Sequence, residues 1–178
     1  MANRLTSKNL VLAALLVAGI VGTTWQGYQY WRAERVNQAM QAGKPVSDDG
    51  YVFQKKFSAA YQQGRQQDYK HALQTYNQLL ETPLTPREQA MVHLNIANNM
   101  MLLGLSRRFN EDGSLIDDAR YDLTQAKGAF EQSLRLAPDN RLAKFNFSLL
   151  LSLLPKNMGN AEKEQSGVLL SNMPIGLP

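Results

Sequence analysis

The chain has no cysteine. It therefore has no disulfides, no thiolate metal sites and no cysteine nucleophile. Histidine is nearly as scarce. His71 and His93 are the only two, and neither has a second histidine at ligand spacing. Both fall on helical patterns, where they read as surface or packing residues rather than zinc ligands. No G-x-x-x-x-G-K-[ST] loop is present, so nucleotide hydrolysis would have to come from a partner. No G-x-S-x-G elbow is present either. The formal net charge is +4, yet no basic block appears. Lys55-Lys56 and Arg107-Arg108 are isolated pairs and read as solvated surface, whereas nucleic-acid binding needs a concentrated basic face. Neither a nucleic acid nor a small-molecule substrate is expected, and no cofactor, catalytic or metal residues are assigned. The acidic group Asn110, Glu111 and Asp112, with Asp117 and Asp118 behind it, lacks the alternating oxygen ligands and closing glutamate of an EF-hand loop. It reads as a solvated loop and helix start. Asn146-Phe147-Ser148 matches a glycosylation acceptor but falls in a helical pattern and is discounted.

What the chain does have begins with an apolar run. Residues 10–24 read LVLAALLVAGIVGTT and are followed by WQGYQYWR. A bilayer core takes about 20 helical residues. Residues 10–31 reach that length when Trp25, Tyr28, Tyr30 and Trp31 are counted as the outer membrane interface, where aromatic rings keep a polar edge wet. A cleaved signal peptide would share the basic start and apolar core, but no A-x-A-like site follows. The pattern favours an uncleaved anchor. Arg4 and Lys8 on one side balance Arg32 and Arg35 on the other, so charge alone does not orient it. The short tail, residues 1–9, is placed in the cytoplasm. The soluble part is placed in the periplasm of a bacterium, with a single pass through the inner membrane.

Residues 32–50 lose apolar periodicity after Val36 and read as a spacer. Helical spacing then recurs. Phe53, Phe57, Ala60 and Tyr61 share one face of a helix over residues 51–64. Tyr69, Ala72, Leu73, Tyr76 and Leu80 share a face of the next. Thr85, Pro86 and Glu88 form a T-x-x-E capping box with proline at the first helical position. Ala90, Leu94, Ala97 and Met101 line the helix they open, which is expected to stop at Gly104. After a polar loop and a second capping pattern at Ser114 and Asp117, Ala119, Leu123, Ala126, Phe130 and Leu134 mark a fourth helix. Pro138 ends it, because proline lacks an N–H and clashes with the preceding turn. A fifth, nearly apolar helix covers residues 141–154. Residues 155–178 form a polar tail with a short apolar end, VLLSNMPIGLP, which is expected to be disordered until it docks on a partner or on the fifth helix. No alternating apolar and polar run suggests a strand. The class is all-α.

The run AKGAFEQSLRLAPDNRLAKFN, residues 126–146, resembles the second helix of a tetratricopeptide repeat, its proline turn and the next first helix. Asn95-Ile96-Ala97, through Asn98 to Gly104, resembles the first-helix motif, and Asn146-Phe147-Ser148 repeats its opening. The resemblance covers residues 51–154. It implies a short solenoid of two degenerate repeats plus a closing helix, and a concave groove for partner proteins. In the repeat register Leu94, Asn98 and Met101, with Phe145 and Leu149 in the closing helix, would face that groove. Their alternative place is the core.

The anchor, WRAERVN at residues 31–37, the two broken repeats, AKGAFEQSLRLAPDN and a terminal GLP together resemble the MxaK family, which accompanies bacterial methanol dehydrogenase. At residues 144–148 the chain has KFNFS where that family has an arginine-tyrosine-asparagine-leucine-glutamate run. The resemblance implies an accessory protein or scaffold in dehydrogenase maturation, including calcium insertion. Its partners would be the dehydrogenase and membrane proteins with von Willebrand factor A domains associated with MoxR-type ATPases. A generic tetratricopeptide adaptor in envelope or cytochrome assembly is the alternative, and a calcium carrier a more distant one.

Overall fold

The computed structural model describes residues 2–107 and 117–154. Its regular structure is entirely α-helical, in six helices and with no strand among the described residues. Helix α1 spans Ala2–Gln41, α2 Val52–Arg65, α3 Tyr69–Leu80, α4 Pro86–Ser106, α5 Asp117–Leu136 and α6 Arg141–Leu153. Two compact units share the chain, Met1–Gln62 and Gln63–Pro178. The boundary falls inside α2 and not at residue 51, because the loop and the first turns of α2 are tied to the end of α1.

In the first unit, α1 runs for 40 residues. At about 1.5 Å per residue that is ~60 Å, twice a bilayer core of ~30 Å. Leu10, Leu15, Leu16 and Ile20 all stand exposed along it. The two threonines in the apolar run do not break it. The Thr23 hydroxyl donates to the Gly19 carbonyl at 2.7 Å, and that of Thr24 to the Ile20 carbonyl. Each hydroxyl is thus satisfied inside its own helix, as a lipid environment requires.

The segment expected to be a spacer is half helix and half anchored loop. α1 continues to Gln41 and closes in a Schellman turn. The Lys44 N–H donates to the Ala39 carbonyl at 2.8 Å and the Gly43 N–H to the Met40 carbonyl at 3.1 Å. Gly43 sits at φ 60°, where a residue with no Cβ is least strained. The chain then turns back. Arg32 holds Asp48 with two parallel bonds, Nε to Oδ2 at 3.0 Å and Nη2 to Oδ1 at 2.5 Å. The Val46 N–H donates to Ser58 Oγ at 2.9 Å, and Gln62 Nε2 donates to the Gly43 carbonyl.

In the second unit, α2 also closes in a Schellman turn. Asp68 N–H reaches the Gln63 carbonyl and Gln67 N–H the Gly64 carbonyl, both at 3.0 Å. Here the left-handed position is Gln67, at φ 65°. α3 buries Ala72, Tyr76 and Leu79, so its face is turned one residue from the expected stripe ending at Leu80. α4 starts as its capping box dictates. Glu88 N–H donates to Thr85 Oγ1 at 3.3 Å, and the Thr85 N–H donates back to Glu88 Oε2 at 2.9 Å.

α4 and α5 pack along most of their length. They run antiparallel: Ala90 at the start of α4 meets Ser133 near the end of α5, and Gly104 near the end of α4 meets Ala119 and Leu123 near the start of α5. Small residues allow the close approach. Ala97, Ala119 and Ala126 are fully buried. The Ser133 hydroxyl, also fully buried, donates to the Ala90 carbonyl at 2.9 Å. Gly104 does not end its helix. α4 continues to Ser106, and a Cβ at Gly104 would lie 2.9 Å from Leu123 Cγ and 3.2 Å from the Ala119 carbonyl oxygen. Glycine is there for contact with α5, not for a left-handed turn.

α6 follows the turn at Pro138. Asn140 caps it, its Oδ1 accepting from the Ala143 N–H at 3.1 Å. Ala143 and Leu150 complete the core formed by Leu94, Ala97, Met101, Ala119, Leu123, Ala126 and Phe130. Phe147 packs against that core, its ring 6.0 Å from that of Phe130. Ser114 of the second capping pattern, the acidic group at residues 110–112 and the C-terminal apolar end lie outside the described residues.

Candidate functional site

Two surfaces emerge from this architecture, one in each unit. The first is the outer face of α6. Its helical period places Ala143, Phe147 and Leu150 toward α5 and α4, so the residues between them turn away. Leu142, Phe145, Leu149 and Leu153 are exposed, Phe145 at 67% and Leu149 at 41%. A phenylalanine left in water forgoes about 1.5–3 kcal/mol of burial. Several such residues on one helix make a surface suited to a protein partner.

Asn98 on α4 joins this surface to the core. Its Oδ1 accepts from Asn146 Nδ2 on α6 at 2.9 Å. Two of the three asparagines noticed as repeat-motif residues, Asn98 and Asn146, therefore pair across the helices, while Asn95 donates to the Met91 carbonyl of its own helix. Leu94 and Met101, expected at the groove with Asn98, are core residues at 6% and 8% exposure. The close α4 and α5 contact turns them inward. Of the five groove residues, the structure brings Phe145 and Leu149 to the surface, holds Asn98 in a half-buried interhelical bond, and takes Leu94 and Met101 inside.

The second surface is the aromatic segment of α1. Trp25, Tyr28 and Trp31 succeed one another at every third residue, with ring centroids 6.4 and 6.2 Å apart. Tyr30 lies on the opposite side by helical period, so rings girdle the helix. All four are more than half exposed. The guanidinium of Arg32 lies 5.8 Å from the Tyr28 ring and that of Arg35 4.8 Å from the Trp31 ring. These distances suit a cation–π contact. The Arg32 guanidinium, helped by the Gly50 N–H, holds the Asp48 carboxyl below the usual carboxylate range. α1 is long and apolar enough to cross a membrane.

The remaining polar constellations are structural. Arg107 Nε binds Asp122 Oδ2 at 2.7 Å and its Nη1 binds Asp118 Oδ2 at 2.8 Å. This clamp joins the end of α4 to the first turns of α5. Sequence reasoning took Arg107 for solvated surface and missed the clamp; the facing pair Asp118 and Asp122, one helical turn apart, was the available signal. His71 is exposed and bound to Asp68. His93 on α4 is half-buried, and the loss of water around it lowers its pKa below the ordinary histidine value. Among the described residues no three of His, Asp and Glu stand close enough to hold a metal ion. No protein-family model, no curated protein and no solved structure matches the chain.

Proposed function

We propose that the protein is a membrane-anchored scaffold whose helical domain binds partner proteins in the periplasm. The observation that carries this reading is the outer face of α6, with Leu142, Phe145 and Leu149 exposed on a helix whose inner face packs on the core through Ala143, Phe147 and Leu150. An amphipathic partner helix or an extended peptide would bury those side chains. The long apolar helix α1 supports the anchor. The antiparallel α4 and α5, with α6 stacked beside them, is the arrangement a tetratricopeptide-like solenoid would adopt. The sequence resemblance to the MxaK family directs the proposal to the maturation of methanol dehydrogenase, with delivery of calcium by the assembled complex and not by this chain.

The test uses Phe145→Glu and Leu149→Glu in the full-length chain, expressed in cells that make the dehydrogenase. Both positions are exposed, so the domain should remain folded. The expected result is loss of a defined membrane partner on mild solubilisation and a dehydrogenase with reduced calcium content. Full partner recovery and normal calcium content in both variants would reject the role of this face.

A further inference from the structure

The turn-back after α1 forms a half-open cavity of about 310 Å³. Its walls combine two kinds of residue. Val36, Ala39, Pro45 and Val46 are apolar, and Val36 and Val46 are themselves buried. Arg32, Arg35 and Asp48 are its charged residues. The two arginines differ. Arg32 is neutralised by its two bonds to Asp48, and that pair holds the loop against the helix. Arg35 has no carboxylate within ion-pair distance among the described residues. Its guanidinium is instead fixed over the Trp31 ring. Two arginines thus share the wall with one aspartate, and among the described residues one positive charge is left over, although Arg35 also acts on Asp48 through space.

Position along the helix identifies the medium. Counting from Leu10, about 20 residues at ~1.5 Å each cross a hydrocarbon core of ~30 Å. Trp31, Arg32 and Arg35 then fall just beyond its edge, at the level of lipid headgroups. A planar guanidinium matches the oxygens of a phosphate in a bidentate geometry. Basic pockets at this level bind anionic headgroups. The size lies at the lower end of ligand cavities, roughly 300–1,000 Å³, and the apolar part of a mostly polar wall, Val36, Ala39, Pro45 and Val46, suits a glycerol backbone rather than a bare ion.

We infer that this cavity binds a phosphate diester, that of an anionic phospholipid, with Arg35 as the phosphate ligand and the Arg32–Asp48 pair as the brace of the wall. The inference rests on the membrane-anchor reading, so the test reads the two separately.

The full-length protein is purified in mild detergent and offered phosphatidylglycerol, phosphatidylcholine or inorganic phosphate, and bound lipid is counted by native mass spectrometry. Three variants are compared. Arg35→Gln removes the charge and leaves the cavity. Ala39→Phe fills the cavity and leaves the charge. Lys44→Gln removes a nearby exposed charge that does not line the cavity. Wild type and Lys44→Gln should retain one phosphatidylglycerol, with phosphatidylcholine held more weakly. Arg35→Gln should lower retention about tenfold, as expected for a lost charge-assisted contact, and Ala39→Phe about as much by occupying the lipid's place. Circular dichroism checks that the helices survive, and a carbonate wash checks that the protein stays in membranes. Equal retention by wild type, Arg35→Gln and Ala39→Phe would overturn the site, and so would no retention by wild type that remains membrane-bound. Wild type washing off the membrane would sink the anchor reading instead. Displacement of the lipid by inorganic phosphate at comparable concentration would keep the phosphate chemistry and overturn the lipid as its source.

Discussion

α1 and the α4–α5 pair are built from overlapping sets of apolar residues and use them in opposite ways. In α5 the apolar residues occupy one stripe, where Leu123, Ala126 and Phe130 are completely buried, and in α4 two, Ala90, Leu94, Ala97 and Met101 on one side and Val92 and Ile96 on the other. In α1 they occupy every side, and Leu10 at 74% and Leu16 at 66% stand exposed. Periodicity explains the contrast. A stripe can be covered by one neighbouring helix, whereas an all-round apolar surface needs cover on every side, from other protein or from lipid. The pairs also differ in their small residues. Ala97, Gly104, Ala119, Ala126 and Ser133 close the α4–α5 interface. Gly19, Gly22 and Gly27 of α1 have open space where a Cβ would stand.

The contrast breaks most visibly if α1 is made polar. An arginine at the centre of a membrane helix opposes insertion by about 2.5–3.5 kcal/mol. Leu15→Arg with Leu16→Arg should therefore release the protein from membranes during a carbonate wash, while the thermal melt of the α4–α5 bundle stays unchanged. Retention of the double variant in the membrane pellet would show that α1 is not the anchor.

The Arg107 clamp tests the bundle alone. Asp122 is nearly buried, with its side chain 12% exposed, and Arg107 is 27% exposed. Arg107→Ala strands that carboxylate. A fully buried pair broken this way would cost more, but partial solvation reduces the loss to ~1–2 kcal/mol. Chemical denaturation of the folded chain should show a lower midpoint. An unchanged midpoint would mean that the clamp is solvated surface after all.

Glycine substitutions sharpen the packing side of the comparison. Gly104→Ala gains about 1 kcal/mol of helix propensity, but its Cβ meets Leu123 and the Ala119 carbonyl, and the backbone oxygen cannot rotate away. Overpacking of ~1–3 kcal/mol should outweigh the gain. Gly128 lies in α5 with nothing within 4 Å of a Cβ, so Gly128→Ala should stabilise by about 1 kcal/mol. Melts of the two variants should move in opposite directions. The same sign for both would refute the close-contact account of Gly104.

Local signals made much of this fold legible. The Thr85 and Glu88 box, the Ala119 to Phe130 stripe and the Pro138 turn each act within a few residues, and each appears as read. What depended on distant partners was not legible. Apolar periodicity ends after Val36, yet α1 continues, because Arg32 meets Asp48 and the loop folds back. Gly104 looks like a helix terminator until α5 is placed against it. Leu94 and Met101 looked available for a groove until the α4–α5 contact turned them inward. Phe145 and Leu149 were named from the repeat register, and both stand exposed on α6.

The smallest expected effect concerns His93, a titratable group inside the bundle for which α1's apolar run has no counterpart. Burial lowers its pKa in the folded chain, while the unfolded value stays at about 6.5. Above that pH both states hold a neutral ring, and its contribution is complete. As pH falls below about 6.5 the unfolded chain takes up the proton more readily, so folded stability declines until the folded pKa is passed. The bundle should therefore melt at a lower temperature at pH 5 than at pH 8. Carboxylates begin to titrate near the lower limit, so the informative quantity is the difference between wild type and His93→Gln. Glutamine keeps a polar amide of similar reach and cannot take up a proton in this range. Its melting temperature should fall less over the interval, with membrane retention equal in both proteins. Parallel pH profiles would show that the half-buried imidazole regains enough water in solution to titrate as it does in the unfolded chain.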